Sequence, residues 1–240
     1  MNSSEAQKMQ YTVCELHCHT SETSSCGHVS AKDLVPFYKE NGYDLIVITD
    51  HYNADYFPDY IAGKMSWGET MEKWFLGWRT AKAAGDKCGI RVLHGCEFRF
   101  PENHNDYLVY GMTEEAFLEK PLFMLSFPEF VDYARQHGLF VAQAHPFRPG
   151  QIPADPKLLE GVEIYNSHPL HNAHNDIAKK FAEDNGLIGI CGQDFHQYPA
   201  MLGCKTKFYG DVDSIPTLIA KLRAGEFEII EPEHPAVYEE

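Results

Sequence analysis

The sequence predicts an α/β fold in which parallel strands form a closed or nearly closed barrel, and two observations carry this prediction. Short apolar runs rich in Val, Ile and Leu, typical of buried parallel strands, alternate with helical patterns in seven βα-type units. Five of these runs end at residues that bind metal ions. Because the C-terminal ends of parallel strands converge on the active site, we expect one metal centre of histidines and carboxylates there.

The five strand ends have ligand spacing as well as ligand residue types. They are His17-Cys18-His19, Asp50-His51, Glu97, His145 and Asp194-Phe195-His196. Residues i and i+2 of a strand point to the same face, roughly 6.6 Å apart. A small rotation lets two such side chains reach one ion at about 2.0–2.2 Å. His17 with His19, and Asp194 with His196, have this spacing, which favours a metal centre over unrelated surface histidines.

The other elements follow from capping, glycine and apolar patterns. We predict helices over 30–41, 126–137, 172–185 and 214–224, and the second half of an aromatic-rich segment, at 69–87, is also expected to be helical. Further strands are predicted over 107–110, 162–165 and 205–209, and an apolar run follows at 226–230. Ser30 and Ser126 each precede an acidic residue by three positions, as in a capping box. The three tryptophans between residues 67 and 78 are expected to pack onto the barrel rather than to line a substrate lid.

Composition restricts the class of protein. The length of 240 residues suits one large α/β domain or two small ones. A formal charge of −15 argues against nonspecific binding to nucleic acid or to an anionic membrane. No apolar run approaches the about 18 residues of a membrane span, and the first residues show no leader pattern. Seven cysteines, an odd number without CxxC spacing, favour a reducing cytoplasm.

The motifs together resemble the PHP family, named for polymerase and histidinol phosphatase, between about residues 11 and 203. The matching motifs are His17-Cys-His19, Thr49-Asp50-His51, Gly95-Cys-Glu97, His104 before an apolar strand, Ala144-His145-Pro146 and Gly192-Gln-Asp194-Phe-His196. In this order they are highly specific, whereas HxH alone is a weak signal. The resemblance implies a distorted (β/α)7 TIM-like barrel. We place it as a single domain at 11–230, between a flexible N-terminus at 1–10 and an acidic C-terminal tail at 231–240.

The resemblance also implies a set of metal ligands. They are His17, His19 and Asp194 for a first ion, Glu97 as a bridge to a second ion held by His104 and His145, and His51 with His196 for a third. The family usually adds a ligand to the third ion from the loop after HxH, often Asp or His beside a glycine. This chain departs from that pattern, since Cys26 lies beside Gly27 and both Glu22 and His28 are in the same loop. The occupancy of the third site is therefore left open.

The expected chemistry uses two or three divalent ions. Six histidines and two carboxylates suit Zn²⁺, Mn²⁺ or Fe²⁺, and a Cys26 thiolate would favour Zn²⁺ or Fe²⁺ at the third site. A Glu97 bridge would place two ions about 3.5–4 Å apart around a shared hydroxide that attacks phosphorus in line. Glu97 and Asp194 are therefore expected to be catalytic. Asp50 is expected to orient its neighbour His51, with proton transfer as the alternative role.

Three residues are candidates for contact with a substrate phosphate. Arg148 follows His145 by three positions and Arg99 follows Glu97 by two. Either guanidinium could bind a phosphate through two hydrogen bonds, and a salt bridge to an acidic residue is the alternative for both. His168 begins a group of three histidines after the sixth strand, where a loop or helix surface is the alternative to substrate contact.

These expectations favour a metal-dependent phosphoesterase acting on a small phosphorylated substrate. We favour a phosphomonoester over a nucleic acid because the chain is acidic and shows no basic groove. Histidinol phosphate is one specific substrate of this class, and no motif selects it. Two alternatives stay open: an amidohydrolase-type C–N hydrolase, which also has HxH after its first strand, and a noncatalytic metal-binding PHP domain. The oligomeric state is open as well.

Overall fold

Ten strands are present in the computed structural model, which describes residues 11–197 and 203–233. They are β1 (Tyr11–Cys18), β2 (Leu45–Ile48), β3 (His51–Tyr52), β4 (Arg91–Arg99), β5 (Asp106–Tyr110), β6 (Phe140–Gln143), β7 (Gly161–Asn166), β8 (Ile188–Gly192), β9 (Lys205–Tyr209) and β10 (Phe227–Ile230). The predicted flexible N-terminus at 1–10 lies outside the described residues, and so do residues 234–240 of the predicted tail.

Nine of these strands form one sheet that curls into a nearly closed barrel. The strand order is β10-β9-β1-β2-β4-β5-β6-β7-β8, and β3 pairs with β4 beside this path. The segment after β8 returns to β1, where the Asp194 N–H donates to the His17 carbonyl at 2.9 Å. The His19 N–H donates to the Phe195 carbonyl at 3.3 Å. These bonds form the seam of the barrel, and the predicted α/β barrel in a single domain is confirmed.

One part of the prediction was wrong, because the sheet is not parallel throughout. β5 is antiparallel to both β4 and β6, and β9 is antiparallel to both β1 and β10. The connection from β4 to β5 spans only residues 100–105. A parallel crossover needs about a dozen residues or more, so this short connection requires an antiparallel pair.

Eight α-helices accompany the described strands. They are α1 (Ala31–Glu40), α2 (Pro58–Ile61), α3 (Trp67–Trp74), α4 (Leu76–Cys88), α5 (Glu114–Glu119), α6 (Phe127–Gln136), α7 (Asn175–Asn185) and α8 (Ile215–Ala224). The predicted single helix at 69–87 is split into α3 and α4. The Thr23 hydroxyl donates to the Trp74 carbonyl and accepts from the Gly77 N–H, so it bonds both helices at the break.

Helix caps follow the sequence pattern in one case and depart from it in the other. Ser126 and Glu129 form a complete capping box at the start of α6, as predicted. Ser30 is the N-cap of α1, but its side chain caps no backbone N–H. Its hydroxyl donates to the Asp33 carboxylate at 2.7 Å instead, so the second predicted capping box was wrong.

The core has separate strand and aromatic clusters. Residues from six strands pack together with α8, and they include Leu16, Val47, Leu108, Phe140, Ile190, Phe208, Leu218 and Leu222. A second cluster is rich in aromatic rings and includes buried Trp74, whose ring lies 5.2 Å from that of Tyr52 and 4.7 Å from that of Phe117. Trp67 and Trp78 pack against this cluster, in agreement with the expected packing onto the barrel.

All seven cysteines lie in the described part of the chain and are free thiols. Five of them are buried, as expected for cysteines in apolar strands. None of the described helices combines the length and the apolar character that a membrane crossing requires.

Candidate metal centre

β1 brings His17 and His19 to the seam of the barrel. The pairing of β1 with β2 is irregular between Glu15 and Cys18, and such an irregularity changes the direction in which side chains point. The Nε2 atoms of His17 and His19 lie 3.1 Å apart, and both imidazoles are buried. The two predicted ligands therefore present their ring nitrogens to the same point.

Glu97 and Asp194 join these histidines, and we call the four residues the inner site. His17 Nε2 lies 3.4 Å from a carboxylate oxygen of Glu97 and 3.4 Å from Asp194 Oδ1. His19 Nε2 lies 3.4 Å from Glu97 Oε2 and 3.3 Å from Asp194 Oδ1. A tetrahedral ion with bonds of about 2.0–2.1 Å has ligand atoms about 3.3–3.4 Å apart. The inner site therefore fits a small divalent ion.

Glu97 occupies the centre of the histidine cluster because of strand register. The pairing of β3 with β4 sets His51 opposite Glu97, and His51 Nδ1 lies 2.8 Å from Glu97 Oε2. From the other side, His145 Nε2 lies 3.1 Å from Glu97 Oε1. Each carboxylate oxygen thus faces a different histidine, as a carboxylate that bridges two ions requires.

His145 and Asp194 adopt backbone conformations that residues other than glycine rarely take. The φ angle is 28° at His145 and 52° at Asp194. Such conformations cost about 1–3 kcal/mol and persist where the surroundings hold them. Here the His145 N–H donates to Glu163 Oε2 at 2.9 Å, and the Asp194 N–H donates to the His17 carbonyl at 2.9 Å. Strain at two predicted ligands is typical of a functional site.

The inner site carries negative charge on its carboxylates. Burial opposes ionisation of Asp194, but the charges of Arg148 and His17 hold its pKa well below the usual range. Burial likewise opposes ionisation of Glu97, and His51 and His17 keep its pKa well below normal. Burial disfavours the charged form of His17, yet the carboxylates around it, Asp194 first, raise its pKa well above the usual value. An ionised pair of carboxylates attracts a cation.

A second group, which we call the outer site, consists of Cys26, His51 and His196. His196 Nε2 lies 3.1 Å from Cys26 Sγ, and the Tyr56 hydroxyl also lies 3.1 Å from this sulfur. Burial raises the pKa of the Cys26 thiol, but hydrogen bonds from His196 and His51 outweigh it and lower this pKa to about 6. His19 lies between the sites, since its ring nitrogen is within 4.8 Å of those of His51 and His196. A thiolate with imidazoles suits Zn²⁺.

The donor atoms of this cluster fit divalent ions. Four overlapping groups bring ligand atoms within 4.8 Å of one another: His19, His51 and His196; His17, His145 and Asp194; His17, His19 and Glu97; and His51, Glu97 and Asp106. His51 Nδ1 and Glu97 Oε2 are buried and have no aligned hydrogen-bond partner within residues 11–197 and 203–233. A cation is the partner that would satisfy both atoms, since each can donate a lone pair.

His104 belongs to none of these groups, and Arg99 contacts one of their members, Asp106. His104 is exposed in the loop between β4 and β5. Arg99 binds Asp106 through two hydrogen bonds, from Nε at 2.9 Å and from Nη2 at 3.0 Å. This is the salt bridge that was the alternative to phosphate contact. Asp106, which no motif indicated, groups with His51 and Glu97 in place of His104.

Asp50 is buried and organises the loop that follows HxH. Its carboxylate accepts hydrogen bonds from the Thr20 N–H at 2.8 Å, the Thr20 hydroxyl at 2.7 Å and the Ser24 hydroxyl at 2.7 Å. The Ser24 oxygen in turn accepts from the His51 N–H at 3.1 Å. Burial raises the pKa of Asp50 to about 6 although these bonds lower it. The contacts support a positioning role for Asp50 rather than proton transfer.

Three polar residues that sequence reasoning missed support the ligands from behind. Glu163 Oε1 lies 2.9 Å from His17 Nδ1. Asn166 donates to Glu163 at 2.9 Å and to Asp194 at 3.3 Å. Glu15 accepts from the His17 N–H at 2.8 Å. The sequence did contain a signal for two of them, because Glu15 and Glu163 are each a single carboxylate within an apolar strand pattern. A charge buried in this way needs a partner.

A pocket of about 220 Å³ opens beside both sites. It is lined by Cys26, His28, Arg148, His168, Leu170, His171, His196 and Gln197. Arg148 donates through Nη2 to Asp194 Oδ2 and, at 3.1 Å, to Asn166 Oδ1. Its Nε is buried without a partner in the described residues. His168 is buried as well, and burial lowers its pKa to about 3, so it is neutral. Arg148 and His168 thus both line the pocket.

Solved structures show the same fold at low sequence identity. A two-domain protein from Bacteroides vulgatus, described as containing a predicted PHP-like metal-dependent phosphoesterase, is 18% identical with a TM-score of 0.65, over 95% of this chain and 67% of that one. Endonuclease Q in complex with a duplex that carries an abasic lesion is 12% identical with a TM-score of 0.59, over 90% of this chain and 57% of that one. An amidohydrolase from Chromobacterium violaceum with bound sulfate is 14% identical with a TM-score of 0.51, over 91% and 98%.

No curated protein matches the chain. The model of the PHP domain matches residues 15–208, which is most of the chain. This segment contains the inner site, the outer site and the residues that line the pocket. The chain therefore belongs to the PHP domain family, and the resemblance seen in its motifs is confirmed.

Proposed function

We propose that this chain hydrolyses small phosphomonoesters with two or three divalent ions, of zinc, manganese or iron, held by the inner and outer sites. The observation that carries the proposal is the place of Arg148. Its guanidinium contacts Asp194 of the inner site and also lines the pocket. A phosphate in this pocket would therefore meet a fixed positive charge next to the ions.

Substrate binding would use groups that the fold already holds in place. The Arg148 side chain is 16% exposed and lines the pocket, so its guanidinium is available to a phosphate there. Asn166 fixes the guanidinium by accepting from Nη2, and neutral His168 can donate or accept without adding charge. A charge-assisted hydrogen bond contributes about 1.5–3 kcal/mol, so Arg148 is expected to account for much of the phosphate affinity.

The ions would supply an activated water and would stabilise negative charge on the phosphoryl oxygens when bound. The protein's part is to fix the ligands. Glu163 holds the His17 ring by its Nδ1 atom, which leaves Nε2 free to bind a cation. Asn166 and Arg148 hold the Asp194 carboxylate in the same way. Glu97, between His51 and His145, would be shared by two ions.

A phosphomonoester is favoured over a nucleic acid for two reasons. The formal charge of −15 repels a polyanion, and the pocket of about 220 Å³ matches a small substrate. Endonuclease Q has the same fold and binds a DNA duplex. The fold alone therefore gives no support to the expected exclusion of nucleic acid, and the choice needs a direct test.

The test is a substrate panel assayed with Mn²⁺, Zn²⁺ and Fe²⁺. Phosphomonoesters, phosphodiesters, a duplex with an abasic lesion and simple amides would be compared at equal enzyme concentration. We expect the protein to release phosphate from monoesters, and we expect this activity to disappear after the metal is removed with a chelator. Cleavage of the duplex or of an amide without monoester hydrolysis would contradict the proposal.

The contribution of Arg148 can be measured separately. We expect Arg148→Ala to lower kcat/KM for a monoester by about 10–100-fold, the loss of one charge-assisted hydrogen bond. Because Arg148 also holds the Asp194 carboxylate, both variants are compared at saturating metal, where metal content should be unchanged, and the exposed Arg135→Ala is the matched control. An Arg148→Ala protein that lacks metal even at saturation would show that this arginine acts mainly by supporting Asp194.

A further inference from the structure

The contacts around Glu97 indicate a ligand that the sequence motifs do not contain. We propose that Asp106, rather than His104, completes an ion site with Glu97 and His51, and that Arg99 is the positioning residue for its carboxylate. This inference rests on the proposed metal centre and specifies one of its ligands. The juxtaposed carboxylates and imidazole form a site for a hard or borderline divalent cation such as Mn²⁺ or Zn²⁺.

Strand register places Asp106 at this site. β5 is antiparallel to β4, and Asp106 is the register partner of Arg99, two residues beyond Glu97. The first residue of β5 therefore lies at the same edge as the end of β4. The ligand atoms of Asp106, His51 and Glu97 lie within 4.8 Å of one another, and all three residues are buried.

The hydrogen bonds of Asp106 leave it able to bind a cation. Oδ2 accepts from Arg99 Nη2 at 3.0 Å and from Gln151 Nε2 at 2.9 Å. Oδ1 accepts from Arg99 Nε at 2.9 Å. A carboxylate has about four lone-pair sites on its two oxygens, so one site on Oδ1 is left over by these three bonds. Arg99 would orient the carboxylate in the way that an outer-shell partner orients a metal ligand.

The two partners of Asp106 at this site also need a cation. His51 Nδ1 and Glu97 Oε2 are 2.8 Å apart, but neither has an aligned hydrogen bond in the part of the chain that the structure describes. A contact without hydrogen-bond alignment does not satisfy these buried atoms. An ion between them and Asp106 would give each of them a partner.

His104 is positioned differently although it is only two residues away. Its side chain is exposed, while its carbonyl oxygen accepts from Gln151 Nε2 at 2.8 Å. Gln151 thus ties the backbone of His104 and the carboxylate of Asp106 together. The loop holds Asp106 inward at the edge of the sheet and leaves His104 on the surface.

The experiment compares Asp106→Asn, Arg99→Gln and His104→Asn with the unchanged protein. Each protein would be dialysed against graded Mn²⁺, and bound metal per chain measured by elemental analysis, with apo melting temperature as a second readout. We expect Asp106→Asn to lose one ion per chain, or to bind it at least about 10–100-fold more weakly. Arg99→Gln should keep the ion count with weaker binding, and His104→Asn should match the unchanged protein.

Three results would overturn the inference. One is loss of an ion from His104→Asn with full binding by Asp106→Asn. Another is equal loss of melting temperature in Asp106→Asn and Arg99→Gln with unchanged metal binding, which would reduce Asp106 to a salt-bridge partner. The third is an unchanged protein that binds a single ion. Full ion binding without phosphatase activity would refute the proposed function and leave the assignment of Asp106 standing.

Discussion

His17 in β1 and His94 in β4 show how differently the same residue behaves in two regions of this barrel. His17 lies among carboxylates, with Glu163 at 2.9 Å and Asp194 at 3.4 Å. His94 is half-buried among rings, with Trp78 at 4.8 Å and Trp74 at 5.2 Å between centroids.

The two regions shift the pKa of histidine in opposite directions. Burial disfavours the cation at both positions, but carboxylates outweigh it at His17 and raise its pKa well above the usual value. At His94, desolvation and then the charge of Arg79 lower the pKa to about 3. The neighbours, rather than burial, therefore distinguish a ligand from a packing residue, and each neighbour can be tested.

The largest effect is expected from Glu97→Gln. The substitution removes the charge at the centre of the histidine cluster and replaces one of the two oxygens by an NH2 group, so one proposed ion loses a ligand and the other keeps only a neutral oxygen. Loss of one electrostatic stabiliser typically lowers kcat by about 10²–10³-fold. We expect at least this decrease in kcat, together with a loss of bound metal. Steady-state kinetics and elemental analysis provide the check, with the exposed Glu129→Gln as control. Near-normal turnover with full metal would refute a two-ion mechanism.

A smaller effect is expected from Glu163→Gln, which changes the support of His17 without removing a ligand. The amide keeps an oxygen near His17 Nδ1 but loses the negative charge that makes the ring a better donor. Metal affinity should fall by about 10–100-fold, as measured by competition with a chelator of known affinity. An unaltered metal affinity would show that Glu163 holds the backbone of His145 by its hydrogen bond rather than supporting His17 as a metal ligand.

His94 should affect stability and not activity. Its folded pKa of about 3 lies below the unfolded value of about 6.5, so the unfolded state binds the proton first and stability falls as pH drops below 6.5. The loss is at most about 2 kcal/mol at pH 5, at about 1.4 kcal/mol per pH unit. Urea unfolding of the unchanged protein and of His94→Phe at pH 7 and pH 5 measures it. Equal pH dependence in both proteins would count against this prediction.

The smallest effect is expected from Cys26→Ser, which leaves the inner site intact. A hydroxyl replaces the soft thiolate ligand, so affinity for Zn²⁺ at the outer site should fall by about tenfold or more, and affinity for Mn²⁺ by less. Titration with each metal would separate the two cases. Equal losses for both ions would mean that Cys26 acts through Tyr56 and His196 rather than as a ligand.

Sequence reasoning located the residues that follow strand ends because parallel strands converge on one edge. His17, His19 and Asp194 lie together for this reason, and so do His51 and His145 around Glu97. The same reasoning could not find Asp106. In an antiparallel strand the first residue, not the last, reaches the site, and no periodic pattern reveals strand direction.

The supporting carboxylates were also beyond the reach of motif reading. Glu163 and Glu15 lie within apolar strands, where their effect depends on contacts made across the barrel. Such contacts depend on register, which a single sequence specifies only weakly where both faces of a strand are buried. The fold class was easier to predict, since it follows from the alternation of strands and helices.

The seam between β1 and the segment after β8 has a consequence for how this protein acquires metal. His17 and Asp194 meet across backbone hydrogen bonds that exist only when the barrel is closed. An ion therefore has a complete site only in the folded chain, and its binding energy is added to the folded state by mass action. Contacts between such distant segments carry a loop-closure cost, so we expect them to form late in folding. Bound metal should therefore lower the rate of unfolding of the closed barrel more than it raises the rate of folding.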